Sequence, residues 1–264
     1  MLPLIYGIPS YKIFALLGSM AFIIISILRF HQTKESHSNV VIKLFLVLWI
    51  SMIGARILYH FHNSDKIITL VEYVFPFTGS GYALYGGLLS AISAIGLYAF
   101  AKKESFLEIM DCLTPGILIG LSIGRIGCLL AGCCFGKESD MIWAIHYPVG
   151  SLPHQWQIAN QVVGIFNKPV SVHPTPVYEM LALGLIALLV LYIEKRGKHF
   201  NGQVFLIAAS SYSFFRLINL FFRADANEDI GLFFYPALYI LIMVVTIMVY
   251  RFKCNRGKAG YSTE

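Results

Sequence analysis

The densest chemistry in this chain lies in one stretch, Gly124-Arg125-Ile126-Gly127-Cys128-Leu129-Leu130-Ala131-Gly132-Cys133-Cys134-Phe135-Gly136. It closes a long apolar run that begins near Leu113. An arginine inside such a run is costly to bury, by about 3 kcal/mol on insertion scales. Glycines beside it let a backbone or a ligand approach closely. A charge kept at that cost, next to Gly132 and Gly136, reads as a site for an anionic group inside a helix bundle.

Other polar residues sit in apolar surroundings elsewhere. Arg56 follows Gly54-Ala55, and Arg216, Asn219 and Arg223 recur at i, i+3 and i+7, the spacing of one helix face. Glu179 falls just inside an apolar run opened by His173-Pro174-Thr175-Pro176 and is the natural ion-pair partner for these arginines. His173 suits a base or a helix cap. Tyr85-Gly86-Gly87 opens another apolar run, where the glycines either bare N–H groups to an anion or serve a helix–helix contact. Tyr11 is a further candidate contact, or an interfacial anchor. Arg56, Arg125 and Arg216 together are hard to explain as side chains reaching for the interface, and a shared polar cavity is the expectation.

The elements that must carry these residues are membrane helices. The chain has 264 residues, 57% hydrophobic and only 13% charged. A spanning helix needs about 20 apolar residues. Seven runs qualify: 11–28, 42–60, 82–101, 113–134, 175–193, 204–222 and 232–250. They are continuous rather than alternating, which argues against a barrel. The predicted class is therefore an all-α, seven-span membrane protein forming a single domain over 1–264. Asp111 is expected at the start of the fourth helix and Pro115 in its first turn. The longest connection, 137–172, is expected to be an outer lid or arm. The seventh helix shows no polar chemistry.

Lys and Arg fall unevenly over alternate connections, twelve on one side and five on the other. That bias predicts the N-terminus outside and the C-terminus inside. The net charge of +6 is spread over short connections and is no nucleic-acid footprint. Five cysteines, mostly in or beside apolar runs, are no secreted disulfide framework. The adjacency of Cys133 and Cys134 is poor metal-ligand spacing, so no metal and no cofactor are expected. The cysteines read as small packing residues, with redox activity as the alternative.

Gly124-Arg125-Ile126-Gly127 with Gly132 and Gly136, preceded by Asp111 and Pro115, resembles the prolipoprotein diacylglyceryl transferase family. So do Tyr85-Gly86-Gly87-Leu88, His173-Pro174 with Tyr178-Glu179, Phe215-Arg216, and Phe222-Arg223-Ala224-Asp225. Tyr11 falls at a tyrosine position of the family's first helix. The resemblance covers nearly the whole chain, with the motifs in order. It implies a multi-pass enzyme of the bacterial inner membrane with its site facing the periplasm. Such an enzyme moves the diacylglyceryl unit of phosphatidylglycerol to the lipobox cysteine of a preprolipoprotein signal peptide. Catalytic roles would then fall to Tyr85, Arg125, His173 and Arg216. Substrate contacts would fall to Tyr11, Arg56, Gly86, Gly87, Gly132, Gly136, Glu179 and Arg223. A divergent paralogue with another acceptor, or a non-catalytic lipid-binding or transport protein, are the alternatives.

The departures are specific. The family's histidine before Gly-Gly is replaced by Tyr85, and its asparagine and Asn-Gly-Glu by Cys128 and Ala131-Gly132-Cys133. A tyrosine with a pKa near about 10 is a poor base at neutral pH. Proton handling would then fall to Tyr85 or His173.

Overall fold

The computed structural model describes residues 4–5, 8–30, 37–62, 84–224 and 231–261. A short antiparallel pair, β1 (Leu4–Ile5) and β2 (Ile8–Pro9), precedes the helices. These are α1 (Ser10–Phe30), α2 (His37–His62), α3 (Leu84–Lys102), α4 (Phe106–Ala131), α5 (Leu152–Ala159), α6 (Thr175–Lys195), α7 (Gln203–Leu220) and α8 (Gly231–Tyr261). The chain divides into two compact units, Met1–Phe22 with Leu113–Glu264, and Ile23–Cys112.

Most of the described length of each expected apolar run is helical. Among the described residues, five helices are long and apolar enough to cross a membrane, α1, α2, α4, α6 and α8, and Gly86–Lys102 is a shorter apolar helix. Gln203, three serines, Arg216 and Asn219 dilute the apolar character of α7. The helices carry large apolar side chains on their outer surfaces, among them Leu97, Phe100, Leu185 and Leu188. A run of such faces is unfavourable in water and matched by lipid.

In the larger unit the core lies between α4, α6 and α7, where Leu118, Leu183, Ala187, Val190 and Val204 are buried together. Gly18 of α1 and Gly120 of α4 meet so closely that a Cβ at either would strike the other's carbonyl oxygen. Ser122 Oγ of α4 donates to the Met180 carbonyl of α6 at 2.9 Å. In the smaller unit α2 packs on α3 through Gly54 and Gly86, again backbone to backbone.

Two expectations on element boundaries are corrected. α4 begins at Phe106, so Asp111 and Pro115 lie inside it rather than at its start. Proline has no N–H to give to the carbonyl four residues back, which here is that of Asp111. Arg29 of α1 supplies donors instead, Nη2 to the Asp111 carbonyl at 3.2 Å and Nε to that of Cys112 at 2.9 Å. The second correction is at α7, which ends at Leu220. Arg223 therefore lies beyond it, in a bridge to Gly136, and does not share a helix face with Arg216.

Candidate active site

Glu179 anchors the charged cluster. It sits in the second turn of α6, 1% exposed, beneath a helix start set by Pro174, Thr175 and Pro176. Its Oε1 accepts from Arg125 Nη2 at 2.7 Å and its Oε2 from Arg216 Nη1 at 3.0 Å. The Tyr212 hydroxyl of α7 donates to Oε1 at 2.5 Å. Arg216 turns its remaining donors, Nε and Nη2, to the Tyr239 hydroxyl of α8 at 3.1 and 3.0 Å. One carboxylate thus serves two guanidinium groups, and the cluster keeps net positive charge. A buried carboxylate with three donors is stable only because nearly every lone pair is used.

Two of these partners were not expected from the sequence. Tyr212 stands four residues before Arg216, so helical spacing puts the two on one side of α7. Tyr239 overturns the reading of the seventh helix as free of chemistry. Tyrosines are common on membrane helices at the interface, and nothing local distinguishes Tyr239 from the others.

Past α4, the chain turns sharply. Gly132 takes φ +73, accessible to glycine at little cost, and its N–H closes on the Leu129 carbonyl. The Tyr147 ring lies against Gly132 at 3.2 Å from where a Cβ would stand. Burial and the nearby cysteines raise the pKa of the Tyr147 hydroxyl. Gly136 lies between two other segments. Its N–H donates to the His173 carbonyl, and the next residue's to that of Phe222. A Cβ on Gly136 would come within 2.7 Å of both those carbonyl oxygens. The glycine is what lets the segments after α4, before α6 and after α7 meet. Arg223, in the last of these, lies within electrostatic reach of Cys134 and Arg216.

His173 sits beside them. Its Nδ1 is 3.0 Å from the Tyr178 hydroxyl, which also accepts from Trp143 Nε1 at 2.7 Å. Its ring packs edge-on against Phe222. Burial holds its pKa below the usual histidine value. The 137–172 connection that supplies Trp143 and Tyr147 is folded on itself. Gln157 bonds both the N–H and the carbonyl of Val170, and His154 links Gly150 to Asn167.

The remaining expected residues fall elsewhere. Tyr11 is exposed at the start of α1, with its Cα 2.9 Å from where a Cβ on Gly127 would stand. Gly86 and Gly87 are buried in the α2–α3 contact, where the Ser90 hydroxyl donates to the Gly86 carbonyl and that of Ser51 to the Gly87 carbonyl. The helix–helix reading holds for both. Arg56 is buried on α2 in the same unit. Tyr85 is the second residue of α3, and its side chain lies outside the described ones.

A helical membrane protein sets two arginines on one buried carboxylate here, with an excess of positive charge in an apolar setting. The family model for prolipoprotein diacylglyceryl transferase matches residues 3–253, and this chain belongs to that family. A phosphatidylglycerol–prolipoprotein diacylglyceryl transferase of Idiomarina loihiensis is 32% identical over 201 residues, 76% of this chain and 68% of the relative. The enzyme of that name from Clostridium tetani is 25% identical over 205 residues, 78% of this chain and 76% of its own length. One from Clostridium perfringens, numbered 2 in its name, is 26% identical over 208 residues with the same coverage.

Proposed function

We propose that this protein transfers the diacylglyceryl group of phosphatidylglycerol to the lipobox cysteine of a preprolipoprotein. The carrying observation is the excess positive charge of Arg125 and Arg216 on one buried Glu179. In the reaction the acceptor sulfur forms a bond to the glycerol carbon and the carbon–oxygen bond to phosphate breaks. Glycerol phosphate leaves with the electron pair. Guanidinium donors held in a dry setting stabilise the charge that gathers on that phosphate. Arg125 and Arg216 take this role, and Arg223 holds the headgroup from the segment bridged to Gly136. Gly136 lets the segment that carries Arg223 approach, and Gly132 lets the chain turn toward it.

His173 takes the acceptor thiol's proton. The proposal requires the tautomer in which Nδ1–H is given to Tyr178, leaving Nε2 as the basic nitrogen. A lowered pKa keeps the ring neutral at pH 7. Tyr11, at the start of α1 beside Gly127, adds a lipid contact from the same unit.

The arrangement in the membrane follows the charge bias. The chain crosses seven times, with α3 and α7 as the shorter spans, as a single domain with its N-terminus out and C-terminus in. The site then faces the periplasm of the bacterial inner membrane, with 137–172 as an outer arm over it.

The test is a transfer assay. Purified protein in detergent receives phosphatidylglycerol and a lipobox peptide, and both peptide mass and released glycerol phosphate are followed. A diacylglyceryl mass gain that vanishes in Arg125→Ala, with the fold intact by circular dichroism, is expected. A folded wild-type protein that yields no gain would sink the proposal.

A further inference from the structure

The thiols of Cys128, Cys133 and Cys134 converge although two of them are adjacent in sequence. Their sulfurs all lie within 4.8 Å of one another, each on a half-buried free cysteine. The convergence depends on backbone that few residues adopt. Gly132 and Cys134 both have left-handed φ, +73 and 57. For a non-glycine residue this costs on the order of 1 kcal/mol and persists only where the surroundings impose it. Here the Thr175 hydroxyl holds the Cys134 carbonyl at 2.5 Å. Cysteines serving only as small packing residues would not need their sulfurs turned to a common point.

Two neighbours fit the same reading. Arg125 Nη1 stands 3.8 Å from the sulfurs of both Cys128 and Cys134. The Tyr147 hydroxyl is buried and has no hydrogen-bond partner among the described residues, and its ring lies against Gly132, next to Cys133.

We propose that Cys128, Cys133 and Cys134 form a three-thiolate site for a thiophilic divalent d10 metal ion, zinc or cadmium in class, with a fourth position open to water or another external ligand. Thiolates select such ions over hard cations. A zinc–sulfur bond of about 2.3 Å puts sulfurs sharing one tetrahedral ion roughly 3.8 Å apart. The thiols need to close by no more than roughly 1 Å to reach that spacing, within the reach of side-chain rotation. Binding releases the three thiol protons to solvent. The divalent ion with three thiolates carries one net negative charge, which Arg125 faces. A water in the fourth position would give the buried Tyr147 hydroxyl a partner.

The test does not use transfer activity. Full-length protein is reduced, freed of reductant under nitrogen and titrated with cadmium. The ultraviolet sulfur-to-cadmium absorption and the bound metal are measured. One ion per chain is expected. The Cys112→Ser/Cys254→Ser protein keeps the band, and Cys128→Ser/Cys133→Ser/Cys134→Ser loses it. Each single substitution weakens binding by at least roughly 10-fold, the smallest loss usual even for an outer partner of a metal site. A second readout guards against a misfolded triple variant. Zinc bound to unaltered protein protects these three thiols, and not Cys254, from iodoacetamide as mapped by mass spectrometry. Absence of cadmium uptake, equal uptake by the folded triple variant, or unchanged alkylation overturns the proposal. So does a disulfide within the trio that, once reduced, yields thiols that take up no metal.

Discussion

The α2–α3 pair and the cluster around Glu179 solve the same problem, polar groups in an apolar setting, in opposite ways. Between α2 and α3 the helices approach until Gly54 and Gly86 touch backbone to backbone. The hydroxyls of Ser51 and Ser90 are satisfied by main-chain carbonyls. Around Glu179 the helices are held by long side chains, and formal charges meet at 2.7 and 3.0 Å. The first contact is close and made by small residues, with each bond worth little. The second gathers groups from four helices, and removing one member strands the others. Glycines serve both regions differently. In α2–α3 they remove side chains so that helices can close, and at 132–136 they let the chain turn and bring loop segments together. The first pattern gives close contact without charge, and the second leaves an excess of positive charge.

The comparison breaks most visibly at Glu179. Glu179→Ala leaves one buried and one largely buried guanidinium group without their carboxylate, and loss of about 3–5 kcal/mol is expected. Reversible unfolding in mixed micelles measures it. A loss under about 1 kcal/mol, the value of exposed pairs, would mean that the cluster is solvated rather than buried.

The glycine contact comes next, where the sign decides. Helix propensity alone makes glycine to alanine a gain of about 1 kcal/mol in a helix interior. At Gly96 of α3, where a Cβ meets nothing within 4 Å, that gain should appear. At Gly54 the Cβ would overlap Ser90 and the Gly86 carbonyl. Gly54→Ala should therefore destabilise by about 2–3 kcal/mol, the upper part of the overpacking range. Equal effects at the two positions would remove the close-contact half of the comparison.

Tyr239→Phe is a finer probe. It removes one acceptor from a guanidinium that keeps its ion pair with Glu179, and a loss of roughly 1.5–2 kcal/mol is expected. Paired with Glu179→Ala in a double-mutant cycle, it should be strongly non-additive, because both groups hold Arg216. Additive losses would show that Tyr239 acts alone.

The smallest effect changes a profile's shape. Burial lowers the His173 pKa below the ordinary value of about 6.5. As pH falls below that value, the unfolded chain takes up a proton before the folded one, so stability declines in that window and not above it. If His173 is the base, transfer should be flat above about pH 6.5 and fall on the acid side of it. His173→Gln should abolish that acid limb. An unchanged limb would assign it to another group.

Residues that carry their meaning in type and spacing were readable without a structure. The apolar runs became helices because a run of about 20 apolar residues can satisfy its backbone in lipid only that way. Arg125, Arg216 and Glu179 could be paired from the cost of leaving such charges alone. The helix limits were less legible. Pro115 reads as a helix start by rule, yet lies inside α4, since the donors of Arg29 serve the carbonyls left there. Arg223 fits a helical period with Arg216, yet the chain leaves the helix before reaching it.

What the sequence determined by itself is the class of protein and the charged residues at its centre, because burial costs attach to residue types. Which groups from distant segments meet is set by the packing of the helices. Tyr239 lies 23 residues from the arginine it holds. The three cysteines point together through a left-handed turn at Cys134 that no periodicity announces. Such meetings are set by how helices pack and how loops close, and those distances are not properties of any one stretch of chain.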